Sequence, residues 1–468
     1  MKKVLLVSPP LQSNTQVCSK DNSYGLGLCY LHSVLEREGY MLRTFSYNSS
    51  DPVEALKAIT TELLDLKPDF FMVQIFTMNR VESYRVLKKA RELMPRMKII
   101  AGGVHASIYP EQLLNNSLVD YVVIGEGEAT IVELLETLSE GRDPSGVKGI
   151  AYKKNGHVVT TAERPLIEDL DSLPFPKHEL FITPEREMAC ILTTRGCPFK
   201  CSFCCLHTIS KRKFRKRSAK NVVDEVEYIV NTFKNIKIIQ IADDTFTLDL
   251  RMAMDFCREI IRRKIKVQFL CSARIKPASV ELFKLMEDAG FKSIGFGLET
   301  GSAKLLKSIH KSITREDVIE TFKMLKGINI SIHTYLMVGF PGENKETVAE
   351  TIDLIKRLQK IKYFEFAGVA RLWVYPNTEV YEHLRGAGRI DDSFWLTDKD
   401  VPFFTLEHTE RELERMVTDI AMSCMPGRQW GKRLLNEFLH PLLFAKKFIP
   451  RLKKLKNWVI PDYQEENL

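Results

Sequence analysis

Short apolar runs alternate with amphipathic stretches along residues 1–135. Val4–Val7, Leu42–Ser46, Phe70–Ile75, Lys98–Ala101 and Tyr121–Ile124 are brief and mostly apolar, which predicts strands covered on both faces. Apolar positions recur at three- and four-residue spacing in Leu26–Glu38, Val53–Leu66, Arg80–Leu93 and Ala129–Glu140, which predicts intervening helices. Strands alternating with helices imply a parallel sheet, and such sheets bind ligands beyond the carboxyl ends of their strands. Glycines and polar residues fall at those ends: Gly25 and Gly27, Thr77 and Asn79, Gly102 and Gly103, and the turn Gly125-Glu126-Gly127.

Residues 141–188 read as a connector with a small hairpin near Gly149–Thr160, followed by extended chain around Pro165, Pro174 and Pro176. A second alternating series follows. Strands are predicted at Ile191–Thr194, Ile236–Ile241, Val267–Ser272, Ser293–Leu298, Ser331–Met337 and Tyr363–Ala370, with helices between them. Six such units imply a parallel barrel or part-barrel that carries its chemistry at the carboxyl ends of the strands. The pattern thus divides the chain into an α/β domain (1–140), a linker (141–188), a (β/α)6 partial barrel (189–394) and a mostly helical tail (395–468), with Leu406–Met422 as one tail helix.

The 468 residues are 44% hydrophobic and 27% charged, a globular composition long enough for two or three domains. The formal net charge is +8, and residues 428–456 alone carry nine basic side chains against Glu437, so the rest of the chain sums to zero. The basicity is local and implies no overall nucleic-acid-binding surface. That basic segment interleaves cations with Trp430, Phe438, Phe444 and several leucines, a pattern that suits either an anionic membrane surface or a helix pair packed on the barrel. No apolar run reaches the length of a membrane span, and Pro9-Pro10 cuts short the apolar start, so the chain is expected in the cytoplasm, with membrane association through the tail as its variant.

Four of the ten cysteines fall within nine residues: Cys197, Cys201, Cys204 and Cys205. Such clustering points to metal rather than to a disulfide framework. The spacing C-x3-C-x2-C, directly after a first barrel strand, lets each of three thiolates take one iron of a cubane cluster and leaves the fourth iron open. Structural zinc held by Cys197, Cys201, Cys204 and His207 is the competing reading of the same residues, with Cys205 able to replace one of them.

With Phe203 before the third cysteine, this loop resembles the signature of the radical S-adenosylmethionine (SAM) superfamily. Further segments match in register. Asp243-Asp244 ends the second barrel strand, Ser272-Ala273-Arg274 the third, and Gly297-Leu298-Glu299-Thr300-Gly301 the fourth. Gly339-Phe340-Pro341-Gly342-Glu343 ends the fifth, and Tyr375-Pro376-Asn377-Thr378 follows with Asn377 where the family has glycine. The resemblance implies a [4Fe-4S] cluster on Cys197, Cys201 and Cys204, with SAM contacted by Phe203, Asp243, Asp244, Arg274, Glu299 and Gly339. An ion pair between Arg274 and Glu299 is the alternative use of those two residues.

Residues 1–135 resemble the cobalamin-binding domain of B12-dependent radical SAM enzymes, through Gly25-Leu26-Gly27, Ala101-Gly102-Gly103-Val104-His105 and Gly125-Glu126-Gly127-Glu128. Cobalamin contacts are implied at Gly25, Gly27, Thr77, Asn79, Gly102, Gly103, His105, Gly125, Glu126 and Gly127. No Asp-x-His-x-x-Gly occurs, so no histidine of that motif can ligate cobalt. The RNA-modifying methylthiotransferases fit less well, because residues 1–135 offer only Cys18 and Cys29 for a second cluster. Cys190, Cys257, Cys271 and Cys424 are expected to be ordinary thiols.

The function implied is methyl transfer to an unactivated carbon, with cluster, SAM and cobalamin as cofactors. The alternatives are a cyclisation, oxidation or rearrangement without methylation, and, in another class, a zinc-stabilised nucleic-acid-binding protein. Expected partners are a small-molecule or lipid-like substrate and a flavodoxin- or ferredoxin-type electron donor; nucleic acid is not expected. The run Lys211–Arg217 reads as a solvated loop, or as a clamp on an anionic substrate or an acidic donor.

Overall fold

The computed structural model describes residues 2–424 except 12–23, 49, 117 and 365–367. Cys18 and the basic segment 428–456 lie outside the described residues.

The first unit runs β1 (Lys3–Ser8), α1 (Leu26–Arg37), β2 (Met41–Ser46), α2 (Pro52–Leu66), β3 (Phe70–Gln74), α3 (Arg80–Leu93), β4 (Lys98–Gly102), α4 (Val104–Ile108), α5 (Pro110–Asn115), β5 (Tyr121–Val123), α6 (Glu128–Ser139), β6 (Ile150–Lys154) and β7 (His157–Thr160). The sheet order is β2-β1-β3-β4-β5-β6-β7, parallel through β5. Successive residues of β1 point to opposite faces. Val4 and Leu6 pack with Leu28, Leu35 and Leu134 of α1 and α6, whereas Leu5 and Val7 pack with Ile59, Leu63 and Leu87 of α2 and α3. Burying each such side chain contributes about 1.5–3 kcal/mol, so both faces stabilise the sheet. The hairpin of the connector is not free-standing: β6 and β7 extend this sheet with two antiparallel strands.

The second unit runs β8 (Met188–Ile191), β9 (Thr194–Arg195), α7 (His207–Ser210), β10 (Arg215–Lys216), α8 (Ala219–Thr232), β11 (Ile238–Ile241), α9 (Leu250–Arg263), β12 (Gln268–Ala273), α10 (Val280–Asp288), β13 (Phe291–Glu299), α11 (Ala303–Ser308), α12 (Arg315–Met324), β14 (Ser331–Val338), α13 (Lys345–Ile361), β15 (Val369–Arg371), α14 (Glu379–Gly386) and α15 (Glu410–Cys424). Six parallel strands stand in the order β15-β14-β13-β12-β11-β8, the open part-barrel that the alternation predicted. Ile239, Ile241, Phe269, Ile294, Phe296, Ile332 and Leu336 point outward and form one core with the helices, including Val226, Phe256, Phe322 and Leu354. Their strand neighbours point inward.

The first barrel strand ends earlier than the hydrophobic run suggested. The run through Thr194 is broken after Ile191, and Thr194–Arg195 pairs instead with Arg215–Lys216 as a two-stranded antiparallel ladder. This ladder closes the neck of the cysteine-bearing loop.

A third cluster joins the two units. Trp395, fully buried, packs with Tyr109, Tyr381, Phe340 and Leu372. Arg80, also fully buried, donates to the carbonyls of Thr77, Trp395 and Lys399, and its guanidinium lies 5.1 Å from the Trp395 ring. The chain after the barrel thereby returns to the N-terminal domain. Among the described residues no helix is long and apolar enough to cross a membrane.

Candidate functional site

The cysteine loop is built before any ligand arrives. Gly196 opens it at φ +85°, and a Cβ there would lie 2.2 Å from the carbonyl oxygen of Lys213, so only glycine fits. Asp243, at the end of β11, accepts hydrogen bonds from the amides and hydroxyls of both Thr193 and Thr194. This buried carboxylate holds the bend that breaks the first strand and aims the loop across the barrel mouth. Asp243 is therefore occupied by the protein, and the carboxylate left exposed at the mouth is Asp244, whose pKa partial desolvation by the surrounding walls and the neighbouring Asp243 push up to about 6.

Cys197, Cys201, Cys204 and Cys205 are unpaired and half-buried. Burial pushes the Cys197 thiol up and the Cys204 thiol to about 12, so without metal these two thiols are neutral and metal must displace their protons. Among the described residues no three Cys, His, Asp or Glu side chains converge on one ion-sized point. His207 turns its Nδ1 to the carbonyl of Cys204, 3.1 Å away.

Arg274 lies against this loop. Its guanidinium is 3.6 Å from the centre of the Phe199 ring, its Nη1 is 3.7 Å from the Cys201 sulfur, and its Nη2 donates to the carbonyl of Lys311. Its buried Nε has no partner among the described residues. A cation with an unspent donor beside a thiol suits a sulfide-rich, negatively charged cluster. Arg274 does not pair with Glu299. Glu299, in the left-handed region at φ +64°, holds Lys311 at 2.6 Å, and both are nearly buried. Gly297 makes room for them, since a Cβ there would lie 2.6 Å from Glu299 Oε1 and 3.0 Å from Lys311 Nζ. Lys311 follows α11, outside any motif, and only the fold reveals it.

Phe203 packs on Phe340, ring centres 5.7 Å apart. The Gly339 amide donates to Glu343, and its Cα faces Leu413 of α15. Asn377 adopts φ +58°, so the turn accepts asparagine where the family has glycine.

Gly102 ends β4, the middle strand of the first sheet, and a Cβ added there would meet Val123 at 3.8 Å, an ordinary van der Waals contact. Around Gly125 nothing lies within 4 Å of an added Cβ. Of these strand-end glycines, Gly125 is the one that leaves its backbone open to a close-lying flat macrocycle. Gly25, Gly27 and Gly127 instead sit close to Phe181, Gln74 and Leu31, and Gly103 is required by the strand itself, where a Cβ would lie 2.7 Å from the Ile75 carbonyl oxygen.

Four polar residues of the expected cobalamin set are engaged by the protein. Asn79, fully buried, accepts from the Phe76 amide and donates to the carbonyls of Pro9 and Gln74. His105 is fully buried, with the hydroxyls of Thr77 and Tyr84 each 3.2 Å from one ring nitrogen; burial and Arg80 depress its pKa to about 3. It is turned into the protein rather than toward a ligand, and Thr77 goes with it. Glu126 faces the barrel: it binds Arg195 at 3.2 Å and Arg215 at 2.8 Å, while Glu128 takes Arg195 at 2.6 Å. These four charges fasten the turn after β5 to the neck of the cysteine loop.

The run Lys211–Arg217 is not a free anion clamp. Lys211 pairs with Glu163, Lys213 with Glu168, Arg215 with Glu126, Lys216 with Asp249 and Arg217 with Glu225.

Residues 191–355 match the model of the radical SAM superfamily, and residues 16–135 that of the B12 binding domain. An uncharacterised methyltransferase of Pyrococcus horikoshii is 30% identical over 387 residues, 81% of this chain and 83% of that protein. An anaerobic magnesium-protoporphyrin IX monomethyl ester cyclase of Rubrivivax gelatinosus is 30% identical over 374 residues, 76% of this chain and 65% of the cyclase. The fold matches the radical SAM methyltransferase TsrM of Kitasatospora setae, solved with cobalamin and a [4Fe-4S] cluster, at 21% identity and TM-score 0.69, over 82% of this chain and 78% of TsrM. Fold, cysteine loop and relatives converge: the chain is an enzyme of the B12-binding radical SAM family, whose cofactors are a [4Fe-4S] cluster, SAM and cobalamin.

Proposed function

We propose that this enzyme transfers a methyl group to an unactivated carbon of a small molecule, drawing electrons from an external reductant. The observation that carries the reading is the joint between the two cofactor-bearing units. Glu126 and Glu128 leave the strand-end turn of the B12 domain and grip Arg195 and Arg215 at the root of the cysteine loop, which holds that turn beside the loop. Relatives support it: besides the Pyrococcus methyltransferase, the hopanoid C-3 methylase of Methylococcus capsulatus is 25% identical over 420 residues, 87% of this chain and 75% of that protein.

When bound, the cluster and SAM supply a 5′-deoxyadenosyl radical that removes hydrogen from the substrate carbon, and cobalamin supplies the methyl group that replaces it. The chain's own residues position and shield. Cys197, Cys201 and Cys204 would hold the cluster, with Arg274 balancing its charge. Asp244 is placed to meet the SAM ammonium, and Glu299, fixed by Lys311, its polar groups. Gly125 would let the corrin lie against the backbone.

The cyclase relative favours a second reading, in which the same apparatus acts without methylation. Anaerobic reconstitution with SAM and a strong reductant separates the two. The proposal expects iron, cobalt, 5′-deoxyadenosine and S-adenosylhomocysteine. Iron and 5′-deoxyadenosine without S-adenosylhomocysteine would favour the second reading, and no 5′-deoxyadenosine would overturn both.

A further inference from the structure

The inner face of the part-barrel carries a charge pattern that bears on the substrate. Outward residues of β11, β12, β13 and β14 are buried in the helical core, so Gln240, Ala242, Leu270, Ser272, His333 and Tyr335 point inward. Ala242 is exposed and Tyr335 is 50% exposed, although both stand on interior strands of the sheet. The inner face is therefore open space rather than packed core.

Tyr335 lies across the neighbouring strand. A Cβ on Gly295 would sit 2.6 Å from its hydroxyl oxygen and 2.7 Å from a ring carbon, so the phenol rests on bare backbone with its other side free. A half-exposed aromatic ring packed against bare backbone offers a stacking platform to a flat body.

Among the described residues, four cations brought to the mouth are held by the protein. Lys311 is spent on Glu299, Arg195 and Arg215 on Glu126 and Glu128, and Arg274 on the cysteine loop. Below that rim, among the described residues, the inward positions of β11, β12, β13 short of Glu299, and β14 include no Lys, Arg, Asp or Glu. Lys200 and Arg212 are exposed on the cysteine loop and not on the strands. Burying a phosphate or carboxylate on this face would leave an uncompensated charge, which is costly.

We propose that the substrate is an uncharged molecule with a flat, largely apolar body that stacks on Tyr335 and hydrogen-bonds to Gln240, Ser272 or His333, and not a phosphorylated or nucleotide substrate. This rests on the methyl-transfer reading, whose site it shares.

The test uses the full-length, anaerobically reconstituted enzyme with saturating SAM, so that the SAM position is filled. Two flat dyes serve as probes: Nile red, which is uncharged, and pyranine, a trisulfonate. Nile red is expected to bind saturably at one per chain, and Tyr335→Ala to weaken it roughly fivefold, the size of one aromatic stacking contact. Ala242→Arg, at an exposed position that tolerates a large side chain, is expected to expel Nile red and admit pyranine. Pyranine binding more tightly than Nile red to the unaltered enzyme would overturn the proposal, as would Nile red binding that neither variant changes. 5′-Deoxyadenosine is measured in the same samples: its formation with a failed dye pattern sinks only the substrate class, whereas its absence sinks the underlying reading.

Discussion

Glu126 and Arg215 meet at 2.8 Å with less than a tenth of either side chain exposed, one from the turn after β5 and the other from the ladder that closes the cysteine loop. Removing one member of a buried ion pair leaves the other charge without compensation. Glu126→Ala is therefore expected to cost about 3 kcal/mol in thermal unfolding and to lower the iron retained after reconstitution. Burial raises the Glu126 carboxyl, but Arg215, the Ile167 amide and Arg195 outweigh it, and its pKa falls below 4.5. A lowered carboxylate contributes stability above its unfolded value and loses it as pH falls through the folded one. The wild-type advantage over Glu126→Ala should thus hold at neutral pH and shrink below about pH 4.5.

The Glu299–Lys311 pair yields a second expectation. Lys311→Met leaves Glu299 alone in a nearly closed site and should cost about 3 kcal/mol, whereas the double variant Glu299→Gln with Lys311→Met should recover much of that loss. Gly297→Ala drives a methyl group into the same pair. It should weaken SAM binding, read as the SAM concentration needed to perturb the EPR signal of the reduced cluster. Unchanged SAM affinity in both Gly297→Ala and Lys311→Met would remove Glu299 from the SAM site.

The strand-helix alternation and the cysteine spacing were legible in the sequence because each is a local pattern. Val4–Val7 and Phe70–Ile75 are apolar runs with one destiny, and C-x3-C-x2-C needs no distant partner. What escaped depends on partners far along the chain. The first barrel strand stops at Ile191 because Asp243, some fifty residues later, takes the backbone of Thr193 and Thr194. Glu126 read as a ligand contact because nothing nearby announces Arg195 or Arg215. The sequence itself reads three consecutive cations there, and only the fold shows that Arg215 and Arg217 are buried and Lys216 exposed. His105 was placed by its motif and turned inward by Thr77 and Tyr84, which no spacing rule encodes.

Three of the four clustered cysteines carry the assignment, and the fourth tests it. Cys205 lies one residue past the loop's last expected ligand and is half-buried there. Cys205→Ser is expected to keep full iron and sulfide after reconstitution, with the EPR signal of the reduced cluster unchanged. Cys197→Ser, Cys201→Ser and Cys204→Ser should each lose most of the iron. Loss of iron in Cys205→Ser to the same degree would mean that the ligand set is wrong.

Glu343 makes the last expectation, through pH. It is 3% exposed, accepts from the amides of Gly339 and Phe340, and gives its own carbonyl to His408 at 2.8 Å, so it braces the turn on which α15 rests. Burial pushes its carboxyl up to about 7, with the two amides and His408 opposing only part of that rise. An unfolded glutamate releases its proton near 4.5, so between that value and 7 the folded chain keeps a proton the unfolded chain has lost. This contribution is present in full below pH 4.5 and is lost as pH rises to about 7. Glutamine accepts the same two amide hydrogens without a charge to bury. Glu343→Gln should therefore match the wild type near pH 4.5 and exceed it by about 2 kcal/mol at pH 8, measured by denaturant unfolding at the two pH values. A wild type that stays the more stable at pH 8 would show that Glu343 is ionised in the fold and held by more than these two amides.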